Sequence, residues 1–136
     1  MTMEKRKIGL IFLLALPLLG MGALGGGQST TPERNYHATF VDRDGTRVDA
    51  KWVNVGGELA VSGELGRGHL RVSFDNIKNI QFSGDGRESL IAKVSLKQGE
   101  QVDLKVRSSL TFFGQTPVGL YNVRARDLKS VDLQPE

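Results

Sequence analysis

The stretch DRDGTRVD, Asp42 to Asp49, places Asp42, Asp44 and Asp49 close together, and clustered carboxylates are the raw material of a calcium loop. Such a loop fixes its glycine at the sixth position, flanked by oxygen ligands and closed by a bidentate glutamate at the twelfth. With Gly45 in that role the first ligand falls on Phe40 and the closing position on Lys51, so the segment reads as a hairpin turn instead. His37 and His69 are the two histidines, and the chain has no cysteine, which leaves neither a zinc or copper donor set nor a thiol nucleophile. A Gly-x-Ser-x-Gly elbow is absent, and the glycine-rich pieces do not precede a helix that could cradle phosphate. Glu58 and Glu64 could in principle flank a glycosidic bond, but charged residues on a β-rich surface are usually solvated. The expectation is a protein without catalytic residues, cofactor or metal.

Two aromatic groups are better placed to bind something. In TFFGQTPVGLY, Phe112 and Phe113 are adjacent on one strand and must point to opposite faces, so if one enters the core the other reaches the far side of the sheet. Together with Tyr121 they form a candidate surface for an envelope protein or peptide, which could also add a strand to an exposed sheet edge. The alternative is a ligand or glycan site on Trp52, Tyr36 and Arg47, with Arg34 nearby, because sugar sites combine an aromatic platform with a few polar groups. Trp52 aligns with Val106 in the repeat described next, which favours a core position for it.

The elements that must carry these residues come from a duplication. Leu70 to Phe82, LRVSFDNIKNIQF, returns 51 residues later as YNVRARDLKSVDL, pairing Val72 with Val123, Ile77 with Leu128 and Ile80 with Val131. Upstream, Ala38 to Trp52 lies over Ala92 to Val106 at an offset of 54, which matches Gly45 with Gly99, Asp49 with Asp103 and Lys51 with Lys105. The three-residue change in offset predicts a shorter connection in the second copy. Two β units follow, residues 36–83 and 89–134, joined by a Gly-rich linker at 84–88.

Each unit reads as five short strands. Alternating segments flank Asp44-Gly45 and Gln98-Gly99, residue pairs that tolerate the positive φ of a tight turn. In the opening of the repeat, Asp75-Asn76 breaks the alternation and should bond the turn through its side chains, while Ile77, like Leu128, turns inward as a plug. Since the apolar residues recur and the polar ones do not, the repeated stretch is scaffold. Five strands with one tight turn before the last resemble the small SH3-like or Sm-like barrels. The pattern is also similar to that of uncharacterised exported bacterial β-domain proteins, a resemblance that implies architecture and no activity. The fold expected is all-β, either two small barrels or one ten-stranded sandwich. A unit of about 48 residues is marginal alone, so the two should share a core or a firm interface.

The N-terminal residues give the address. Lys5, Arg6 and Lys7 precede an uncharged apolar run from Ile8 to Leu19 and a tail of small residues, the order of a secretory signal peptide over residues 1–25. A flexible segment at 26–35 then leads into the first unit. The expectation is a periplasmic or secreted protein with no membrane span after cleavage, the alternative being an uncleaved anchor in the inner membrane. Residues 1–25 hold three of the 18 basic and one of the 15 acidic residues, which leaves +1 for the rest and no electrostatic footprint for nucleic acid.

Overall fold

The computed structural model describes residues 34–85 and 87–134; the expected signal peptide, most of the segment after it and Gly86 of the linker lie outside the described residues. Ten strands follow one another: β1 His37–Asp42, β2 Arg47–Asn54, β3 Ala60–Leu65, β4 Gly68–Ser73 and β5 Ile77–Ser83, then β6 Ser89–Leu96, β7 Gln101–Arg107, β8 Thr111–Thr116, β9 Gly119–Arg124 and β10 Leu128–Gln134. Short 3-10 turns, Phe74–Asn76 and Ala125–Asp127, precede β5 and β10. Among the described residues no helix is long and apolar enough to cross a membrane, which leaves β-barrel insertion unaddressed.

All ten strands join one antiparallel sheet in the order β4-β3-β7-β6-β5-β10-β1-β2-β8-β9. Adding five to each strand number, with wrap-around, returns the same order read backwards, so the sheet has a pseudo-twofold axis. It passes between Ile80 and Val131, which face each other where β5 pairs with β10. The two copies interleave. The hairpin β1-β2 of the first copy pairs with β10 and β8 of the second, and β7 of the second pairs with β3 of the first. Five-strand sets β10-β1-β2-β8-β9 and β5-β6-β7-β3-β4 result, each built from both copies.

A single sheet can enclose one core only by curling, and inward side chains from every strand belong to one apolar cluster. The alternation of each strand supplies them: Ala38 and Phe40 on β1, Leu104 and Val106 on β7, Leu128, Val131 and Leu133 on β10. Phe40, Phe112, Phe82 and Tyr121 form an aromatic group, with Phe40 and Phe112 centroids 5.8 Å apart and Phe40 and Tyr121 5.5 Å apart. At the matching positions of the repeat stand the aliphatic residues Val94, Val61, Leu133 and Leu70.

The 3-10 turns plug the ends as the repeat predicts, with Ile77 and Leu128 fully buried. Their side-chain chemistry differs from expectation. Ser73 Oγ, not Asp75 or Asn76, accepts from the turn amide of Asp75 at 3.1 Å. The Asp75 carboxylate instead reaches across to Arg34, 2.8 Å away, and to the Tyr36 hydroxyl.

The offset change also has a structural cause. In the first copy Gly56 and Gly57, at φ 60° and 89°, make a small turn closed by a Val55–Glu58 bridge between β2 and β3. Only glycine and a few polar residues adopt such angles cheaply. The second copy passes from β7 to β8 without this turn.

Candidate functional site

The extra turn begins with an irregularity at Trp52, whose φ of 52° lies in the left-handed region. A bulky side chain there costs on the order of 1–2 kcal/mol. Neighbouring backbone bonds hold it: Trp52 N–H donates to Asn35 Oδ1 at 2.9 Å, and Val53 N–H to the Tyr36 carbonyl at 3.0 Å. The consequence is a change of phase along β2. Ala50 points inward, Lys51 outward, and Val53 rather than Trp52 takes the next core position. The alignment of Trp52 with Val106 therefore misleads: Val106 is buried, while Trp52 is half-buried and lines a cleft.

That cleft, about 740 Å³, lies over the outward side of β1, β2, the end of β10 and the tip of the β8-β9 hairpin. His37 and Thr39 come from β1, Arg47, Asp49, Lys51 and Trp52 from β2, Gln115, Thr116 and Pro117 from β8 and its turn, and Gln134 from β10. Register explains the convergence. Gln134 faces His37, Lys51 faces Gln115, and continuing the β1-β2 register sets His37 beside Lys51. Four hydrogen-bonding side chains thus form one row across four strands, spaced by about 4.8 Å per strand. One step along, buried Thr39 donates its hydroxyl to Asp49 Oδ1 at 2.6 Å. Among the described residues neither Arg47 nor Lys51 makes an ion pair. An aromatic platform, two uncommitted cations and amides able to donate and accept make a surface for binding a polar ligand.

Of the ligand set expected from sequence, Trp52 and Arg47 meet here and Tyr36 does not. Tyr36 is 3% exposed, packs edge-on against Phe74 at 5.3 Å and spends its hydroxyl on Asp75. Arg34 lies 4.9 Å over the Tyr36 ring and joins the same pair. The Tyr36 hydrogen bond, opposed by desolvation and aided by Arg34, holds the Asp75 carboxyl below the usual carboxylate range.

The surface expected over Phe112, Phe113 and Tyr121 is not one surface. Alternation on β8 sends Phe112 into the core, fully buried, and leaves Phe113 outward at 40% exposure. Tyr121 is half-buried against Phe40, and burial, with the Asp42 charge adding, pushes its phenol up. Phe113 instead shares the outward side of the β8-β9 hairpin with Leu120, 83% exposed, beside the turn residue Val118, 97% exposed. The outer edge of β9 ends the sheet.

The three aspartates of the opening motif separate. Asp42 Oδ1 accepts from the amides of Asp44 and Thr46 at 3.0 and 2.9 Å, which commits it to the hairpin turn, and Asp49 faces the cleft. Lys51, Gln115, Thr116, Pro117, Thr39 and Gln134 were not singled out by sequence reasoning. Outward positions on strands follow from alternation, but which strands adjoin depends on the interleaving, which no local pattern encodes.

A family profile described as "Uncharacterised protein" matches residues 32–136, the whole span of the ten strands. No curated protein and no solved structure matches the chain.

Proposed function

Because the chain belongs to that family of uncharacterised proteins, its function has to be argued from its own surface, and we propose an exported, non-enzymatic binding module of the bacterial cell envelope. Its ligand is a small polar molecule or a short glycan held in the Trp52 cleft. The observation that carries this reading is the break in β2, which rotates a tryptophan out of the core and onto a cleft lined by Arg47, Lys51, Gln115 and Gln134. Cleft volume and lining fit a site for one small ligand, which is held by a few convergent polar groups against an apolar platform. Export rests on the basic and apolar order of residues 1–25. The strand order 5-1-2-3-4 within each five-strand set, with a 3-10 turn before the last strand, supports an SH3-like ancestry for the unit.

A glycan array probed with the chain from Gly26 onward, beside its Trp52→Asn variant, tests the reading. Asparagine tolerates the left-handed φ, so the backbone is kept while the platform is lost. Binding by the wild type and loss in the folded variant is the expected result; indifference to the substitution overturns it.

Partner docking is a second reading, favoured by the exposure of Val118 and Leu120 beside the unpaired edge of β9. Capture of an envelope protein that is abolished by Leu120→Glu and untouched by Trp52→Asn would support it.

A further inference from the structure

We infer that the cleft selects an acidic saccharide, a sugar chain whose carboxylates lie against Arg47 and Lys51 while a ring stacks on Trp52; this rests on the cleft reading above. Charge is the first argument. Lys51 faces the neutral amide of Gln115, whereas its counterpart Lys105 faces the carboxylate of Glu64. Arg47 is replaced by Gln101 at the matching position. The cleft side therefore carries positive charge that the other side removes or compensates. Asp49, whose carboxylate accepts from the Thr39 hydroxyl at 2.6 Å, offsets one of the two cations, and the lining keeps a net charge of +1 from Arg47, Lys51 and Asp49.

The second argument is the mixture of groups. A bare anion needs cations and donors only, and an apolar ligand needs no amides. Gln134 and Gln115 offer both a donor and an acceptor at the two ends of the cross-strand row, which suits hydroxyl groups on either side of a central carboxylate. Trp52 supplies the apolar platform on which the flat face of a sugar ring rests. An Arg fork takes a carboxylate in two parallel bonds, while Lys51 adds a point charge.

Trp52 is the only tryptophan, so its fluorescence reports the cleft directly. The chain from Gly26 onward is titrated with an oligogalacturonate, with a neutral malto-oligosaccharide of equal length and with a polyglutamate peptide, at low and at moderate salt. The expected result is tightest binding of the oligogalacturonate, weakened by salt and by roughly tenfold in Arg47→Gln, a substitution that installs the residue of the other half. Equal binding of the neutral sugar overturns the charge selection and leaves the cleft reading standing. Equal binding of polyglutamate overturns the saccharide part. No response to any of the three, with circular dichroism unchanged, overturns the inference, while a hit on the array would still keep the cleft reading.

Discussion

On the outward positions of β1, β2 and β8 stand His37, Thr39, Arg47, Lys51 and Gln115; at the matching positions of β6, β7 and β3 stand Ile91, Lys93, Gln101, Lys105 and Glu64. The inward positions behave differently. Val48 matches Val102, Ile77 matches Leu128, and Ile80 matches Val131, apolar for apolar. Duplication kept the framework and changed much of the surface, although Asp49 and Lys51 recur as Asp103 and Lys105. The cleft over β2 shows that surface shape here depends on a backbone irregularity as much as on residue types.

The largest test of this comparison addresses the core. Phe112 fills a core position that Val61 occupies in the other half, so Phe112→Ala should cost about 3–5 kcal/mol, while the matching Val61→Ala should cost roughly half as much. Chemical denaturation of both variants measures the difference. Equal losses would mean that the two halves relax around a cavity in the same way despite their different side chains.

Next comes the phase change itself. If the bulge and not the tryptophan makes the cleft, then Val106→Trp cannot copy it, because Val106 points into the core and its Cγ1 already lies 3.0 Å from where a Cβ on Gly63 would stand. That substitution should overpack the interior and cost about 3 kcal/mol. Trp52→Asn should cost only about 1 kcal/mol, since the side chain is half-buried. A Val106→Trp variant that folds with full stability would break the argument.

The same residues mark how far the sequence could be read. Alternation and turn chemistry give the strands, and the repeated LRVSF and YNVRA segments give their correspondence, because both are local signals. The alignment of Trp52 with Val106 points to the core because a repeat alignment assumes an unbroken strand in both copies, and an Asp-Gly turn upstream says nothing of a bulge downstream. The interleaving was not legible either. Whether β2 continues to its own β3 or to β8 changes no residue's inward or outward preference, so hydrophobic pattern is blind to it. Tyr36 was read as a surface aromatic because its partners, Phe74 and Asp75, lie some forty residues away.

Gly63 and Gly114 sharpen the comparison from the side of the shared frame. They occupy matching positions where β3 meets β7 and β8 meets β2, the two crossings between copies. A Cβ on Gly114 would stand 2.8 Å from Ala50 Cβ, and one on Gly63 would stand 2.9 Å from the Lys105 carbonyl oxygen. Alanine at either site should destabilise by about 1–2 kcal/mol, slightly more at Gly63, where backbone is the obstacle. Thermal unfolding of the pair measures it. A neutral effect at one site alone would show that this crossing is looser than its twin.

The smallest effect concerns a contact that exists on one side only. Asp75 joins Tyr36 and Arg34, while the matching position in the second copy is Arg126, and Leu90 stands where Tyr36 does. Because the folded protein holds the Asp75 carboxyl below its usual range, the ionised form contributes stability above about pH 4, and the contribution fades as pH falls through the lowered value. Asp75→Asn removes it. The variant should be modestly less stable than wild type at neutral pH, and the two stability curves should converge at acid pH. Arg34 and Asp75 are each about half exposed, so salt should narrow the neutral-pH gap as well. Tyr36→Phe separates the two partners: since the phenol hydrogen bond is the larger cause of the lowered value, its loss should move the convergence to higher pH even with Arg34 in place. Parallel curves for wild type and Asp75→Asn at every pH would mean that the carboxylate is matched by an equal interaction in the unfolded chain, and the asymmetry at this end of the sheet would then be one of packing alone.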